Sequence, residues 1–122
     1  MKIYVMMFMS LLLFSFSVQE IDDEIADALK VGKTEEIIKF FSEKTSLKVL
    51  NQEDFVSKSK AQAIIEDFFA KLKVKGYQAS HTSLANFNQQ FITGKLDTII
   101  GKFRISILVR GNLISQFRIE NE

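Results

Sequence analysis

The sequence predicts an α+β domain in which N-terminal helices pack on a curved, bulged antiparallel sheet. Three observations predict it. Apolar residues recur at helical spacing as far as Leu72, the period switches to two after Gly76, and a glycine, Gly94, interrupts one of the later strands. There is no proline, repeat or low-complexity stretch to mark a second unit.

The chain opens Met1-Lys2-Ile3-Tyr4-Val5 and carries no further charge until Glu20. A basic start, an apolar run and small residues at Ser15 and Ser17 make the layout of a secretory signal, with cleavage expected after Ser17. The uncharged stretch from Ile3 to Val18 holds 16 residues, shorter than the roughly 20 a spanning helix needs. The expected organisation is a signal peptide over 1–17 and a single domain over 18–122, exported to a periplasm-like space or secreted. With no cysteine, the chain cannot carry a lipid on a cysteine after the leader, form disulfides or bind metal through thiolates. Its core must hold it together unaided.

Glu20 to Val31 places Ile21, Ile25, Ala28 and Leu29 on one face of a helix, with Gly32 as its stop. The acidic run Asp22, Asp23, Glu24 and Asp27 suits the positive end of the helix dipole and lacks the ligand spacing of a calcium loop. Thr34 is expected to cap a short helix running through Phe40 and Phe41. A hairpin follows over Ser46–Leu50 and Phe55-Val56, turning at Asn51 to Asp54. Ser59 and Gln62 have the spacing of a capping box, opening a helix with Ala61, Ile65, Phe68 and Leu72 on one stripe. Four antiparallel strands complete the order: Tyr77–Leu84, Phe87–Thr98, Lys102–Arg110 and Leu113–Glu120, the last two joined by a Gly111-Asn112 turn. Nine of the twelve phenylalanines lie after the leader, so an aromatic core is expected, each such burial stabilising by about 1.5–3 kcal/mol.

Without Lys2, 15 basic residues face 15 acidic ones. That zero balance argues against nucleic acid as a partner, and no membrane contact is expected once the leader is gone. The lysines of Lys71-Leu72-Lys73-Val74-Lys75 are accounted for by the negative end of the helix dipole. No nucleophile motif, phosphate loop, dinucleotide fingerprint or metal cluster is present, so neither metal nor cofactor is expected.

Particular residues carry a wider likeness: Ala28–Gly32, Phe40-Phe41, Ser57-Lys58 with Ala61, Asp67–Phe69, His81, Gly94–Leu96, Gly101–Arg104 and Gln116–Glu120. With the element order, they make the chain resemble the nuclear transport factor 2-like superfamily, a cone-shaped α+β fold. Within it the chain is similar to a family of short exported bacterial proteins without a characterised function. It departs from that pattern after His81, where the family pattern has a glycine soon after the histidine and this chain has Thr82-Ser83. The resemblance contains no catalytic motif, and this fold hosts enzymes, ligand binders and adaptors alike.

Strand parity puts His81, the sole histidine, on the same face as Tyr77, Ala79 and Ser83. If that face lines the cone, His81 is the candidate general base, with Tyr77 and Asp67 as the other catalytic candidates. In related enzymes of the superfamily such groups perform proton transfers and dehydrations. His81, Tyr77, Phe68, Phe91 and Phe103 are the candidate ligand-binding residues. Arg104, Ser106, Gln116 and Arg118 are expected on the outer sheet face with Glu120, where the resemblance implies pairing of two subunits. Ile99-Ile100 before Gly101 is an apolar hairpin tip that calls for a cover. The leading expectation is a non-catalytic envelope module binding a small apolar or amphiphilic ligand, or a protein. The alternatives are a cofactor-free cavity enzyme using His81, and a structural or adaptor homodimer.

Overall fold

The computed structural model describes residues 20–86 and 88–122, so the expected signal peptide, the cleavage expected after Ser17 and Phe87 lie outside the described residues. Among the described residues, three helices, α1 (Glu20–Val31), α2 (Thr34–Ile38) and α3 (Lys58–Leu72), accompany six strands. These are β1 (Phe41–Val49), β2 (Gln52–Ser57), β3 (Val74–Asn86), β4 (Gln89–Thr98), β5 (Gly101–Arg110) and β6 (Leu113–Asn121). They form one sheet in the order β2-β1-β6-β5-β4-β3. The sheet is mixed, because β1 runs parallel to β6 while every other neighbour is antiparallel.

α1 buries Ile25, Ala28 and Leu29, the stripe its periodicity predicts. Gly32 ends it at φ +72°, its N–H bonded to the carbonyls of Ala28 and Leu29. Thr34 is not the cap of α2. Lys33 holds the cap position without a side-chain bond, and Thr34 is buried inside the first turn. The helix stops at Ile38, and Phe41 starts β1 instead of ending α2, with its ring 5.4 Å from that of Phe117 on β6. α3 is capped by Ser57, which accepts from Lys60 N–H at 3.3 Å, so the Ser59–Gln62 pair lies within the helix.

The core is more aliphatic than the phenylalanine count suggests. Phe41, Phe69, Phe103 and Phe117 are buried among Ile25, Leu29, Ile65, Leu96, Ile105 and Ile119, while Phe55 and Phe91 are exposed. Alternate residues of β4, β5 and β6 face this core, and all three helices contribute to it.

The bulge expected at Gly94 lies instead in its neighbour. β4 and β5 pair without interruption, whereas β3 shifts register between Ala79 and His81, leaving Ser80 as an extra residue. Gly94 opposes Ala79 beside this bulge, and the Tyr77 ring fills the space a side chain at Gly94 would need. Gly94→Ala is therefore expected to cost about 1–3 kcal/mol through overpacking, and to couple with Tyr77→Ala in a double-mutant cycle followed by urea denaturation.

Candidate functional site

The extra residue in β3 decides where the candidate side chains point. Tyr77 opposes Leu96 and Ala79 opposes Gly94, on the core-facing side of the sheet. Beyond Ser80 the alternation is reversed: Thr82 opposes Ile92 on the inner face, and His81 opposes Thr93 on the outer face. The shared face expected for His81 and Tyr77 is thus overturned by one bulged residue. His81 is exposed, and so is Asp67, which forms a salt bridge with Lys71 one helical turn on, at 3.0 Å. The fold does not bring His81, Tyr77 and Asp67 together.

The five candidate ligand-binding residues divide in the same way. Tyr77, Phe103 and Phe68 belong to the interior, Phe68 meeting Phe103 edge-on at 5.9 Å between centroids. His81 and Phe91 lie on the outer face.

On the inner face Tyr77 is only 6% exposed, and its hydroxyl has no hydrogen-bond partner among the described residues. Burial pushes its pKa up to about 12, because the phenolate would lose its hydration. A second buried polar atom on that face, Gln90 Oε1, is also unpartnered among the described residues. Gln90 was not singled out from the sequence, although its parity with Ile92 and Leu96 on β4 places a polar residue in a core-facing register. Two open grooves flank the helices. One, of about 620 Å³, lies between α1 and α2 beside Ala28, Val31 and Phe40; another, of about 570 Å³, lies between α3 and the β1–β2 hairpin beside Leu47, Val49 and Ile64.

The outer face carries two cross-strand rows. Phe55, Ser46, Gln116, Leu108, Phe91 and Ser83 lie in register from β2 to β3. Beside them run Glu53, Lys48, Arg118, Ser106, Thr93 and His81. Glu120 gathers the charges of the neighbouring strands. Lys48 Nζ donates to it at 3.1 Å, and Arg118 and Arg104 approach at 3.7 and 3.8 Å. The hydrogen bond from Lys48, then the three positive charges, hold the Glu120 carboxyl below the usual carboxylate range. In the same cross-strand row as Arg104 and Glu120, Lys95 is paired with Glu122 at 2.8 Å.

Residues 22–121 match the sequence family described as Domain of unknown function (DUF4783). This chain belongs to that family. A DUF4783 protein of Bacteroides ovatus is 30% identical over 81% of this chain and 93% of its own, with a TM-score of 0.77. One from Bacteroides uniformis is 26% identical over 87% and 98%, at TM-score 0.78. A nuclear transport factor 2-type protein with a long sheet aligns at TM-score 0.68 and 14% identity, over 84% of this chain and 99% of that one. The DUF4783 chain therefore has the nuclear transport factor 2-like cone fold expected from its residues. A search of curated proteins finds no match.

In a chain starting at Val18, Tyr77 is the single tyrosine, and the sequence has no tryptophan, so phenolate absorbance reports this residue alone. It should titrate near pH 12, against about 10 after unfolding in urea. Because the folded pKa is the higher one, stability is intact below pH ~10 and falls as pH rises towards about 12. Tyr77→Phe should abolish that fall. It should also raise stability near neutral pH by about 1 kcal/mol, by removing a buried hydroxyl that lacks a partner. By contrast, His81→Ala at its exposed position should change stability by less than about 0.5 kcal/mol in urea melts.

Proposed function

We propose that this DUF4783 chain is an exported, non-catalytic binding module that works through the outer face of its sheet, pairing with a second copy of itself. The observation that carries the reading is the character of that face. A row that mixes apolar and polar side chains, with Phe55 63% and Phe91 36% exposed, runs beside half-buried, mixed-sign ion pairs. Lys48, Arg118 and Glu120, each about a quarter exposed, are held close to the sheet in one network.

Size and charge both suit a second copy. Six strands at ~4.8 Å spacing and about ten residues long give a face of roughly 900 Å², enough for a standard interface of about 800 Å² per partner. A two-fold axis parallel to the strands, between β5 and β6, would set Glu120 of each copy over Arg104 of the other. It would also set Gln116 over Leu108 and Glu53 over His81. Glu120 and Arg104 meet as opposite charges under that operation, while Arg118 faces Ser106 and Lys48 faces Thr93.

A small ligand inside the cone is a second reading, favoured by the unpartnered Tyr77 hydroxyl and Gln90 Oε1. A cavity enzyme draws no support from the geometry, since His81 lies across the sheet from Tyr77.

Sedimentation equilibrium of the chain from Val18 should show a dimer. Arg104→Glu should weaken it by at least about tenfold, and adding Glu120→Arg should restore it. A monomer at every concentration would sink the pairing. A small molecule released on denaturation, seen by native mass spectrometry, would favour the second reading.

A further inference from the structure

Two features far apart in the sequence meet at one end of the sheet. The β4–β5 turn places Ile99 and Ile100 at its tip, 58% and 66% exposed. The Ile99 N–H donates to the carbonyls of Leu72 and Lys73, at 3.2 and 3.3 Å, so the tip is fastened to the end of α3. That end carries Lys71, Lys73 and Lys75, all exposed, and Lys102 stands just beyond the turn. Val31, 60% exposed, ends α1 beside the start of β3, where Gly32 abuts Val74.

The turn chemistry does not explain the isoleucines. Two-residue hairpin turns favour glycine, asparagine and aspartate, as Gly111-Asn112 does at the other end. Neither Ile99 nor Ile100 has positive φ, the strained position being taken by Gly101 at +136°. The turn is instead held by buried Thr98, whose hydroxyl donates to the Gly101 carbonyl at 2.8 Å and accepts from Ile100 N–H at 3.3 Å. Both amide groups of the tip are therefore satisfied from within. A tip built this way can enter a poorly hydrated layer without leaving its N–H donors unpaired.

We propose that this end of the molecule docks shallowly on an anionic lipid bilayer, Ile99 and Ile100 entering the interface and the lysine collar meeting the headgroups. Charge complementarity selects the occupant. Of the nearby carboxylates, Asp67 is paired with Lys71, Asp97 opposes Lys102 and Glu122 is paired with Lys95, so five lysines face three acids. The chain's balanced charge conceals this local excess. An apolar tip within a basic collar is what a negatively charged lipid surface retains, while a neutral one lacks the electrostatic half of the attraction.

The test uses the chain from Val18, which holds every described element and lacks the apolar leader that would itself bind lipid. It is sedimented with vesicles of phosphatidylglycerol and phosphatidylethanolamine, or of phosphatidylcholine alone. Binding should be at least about tenfold stronger to the anionic vesicles and should weaken as salt rises. Ile99→Ser with Ile100→Ser, polar residues that need no positive φ at either position, should lower binding about tenfold while circular dichroism shows the fold retained. Lys71→Gln, Lys75→Gln and Lys102→Gln together should lower it similarly. No binding to anionic vesicles overturns the proposal and leaves the tip to a protein partner. Equal binding to both vesicle types, or full binding by the folded tip variant, overturns it as well.

Discussion

The ring of Tyr77 lies over Gly94, and the extra residue in β3 sits directly beside that contact. Any side chain at Gly94 would displace the ring, so the approach of β3 to β4 depends on the bare backbone there. The bulge then reverses the alternation of β3 while leaving its pairing with β4 intact. Inner and outer faces are consequently populated by different residues on the two sides of Ser80. Tyr77 turns into the core, His81 turns out towards Thr93 and Ser106, and no proton relay between them is available.

A second constraint joins the two halves of the chain. Among the described residues β1 and β6 are the only parallel neighbours, and through them the N-terminal hairpin is added to the four-strand meander. Phe41 against Phe117, the Leu47–Phe117 and Val49–Ile119 neighbours, and the Ser42 hydroxyl donating to the Ile114 carbonyl at 2.7 Å hold that seam. The same pairing brings Lys48 beside Arg118 and within reach of Glu120. The charged network of the outer face is thus a product of the seam.

Much of the fold was legible because its signals are local. The stripe of α1, the alternation of β5 and the Gly111-Asn112 turn each follow from spacing within a few residues. What the sequence hid was relational. Gly94 marks a disturbance correctly but not which strand carries it, since the missing Cβ serves a ring on the neighbouring strand. Parity misplaced His81 because a bulge leaves no compositional mark at Ser80. Thr34 looked like a cap because its hydroxyl suits one, yet its burial in the first turn outweighs that preference. Likewise the lysine run and the isoleucine pair were each visible, but only the bonds from Ile99 to α3 make them one surface.

The two proposed surfaces constrain each other. The tip lies at the end of the strands, whereas the pairing face lies along them, so occupying one leaves the other free. A two-fold axis parallel to the strands keeps strand direction, so both copies present their Ile99-Ile100 tips at the same end of the dimer. Two shallow anchors on one rigid body then bind a bilayer as a linked pair, the second engaging at the high effective concentration set by the first. An axis perpendicular to the strands would point the tips in opposite directions and forfeit that gain. The orientation of pairing is therefore what couples the outer face to the lipid surface: a dimer with parallel tips should hold vesicles more tightly than its own monomer, and a dimer with opposed tips should not.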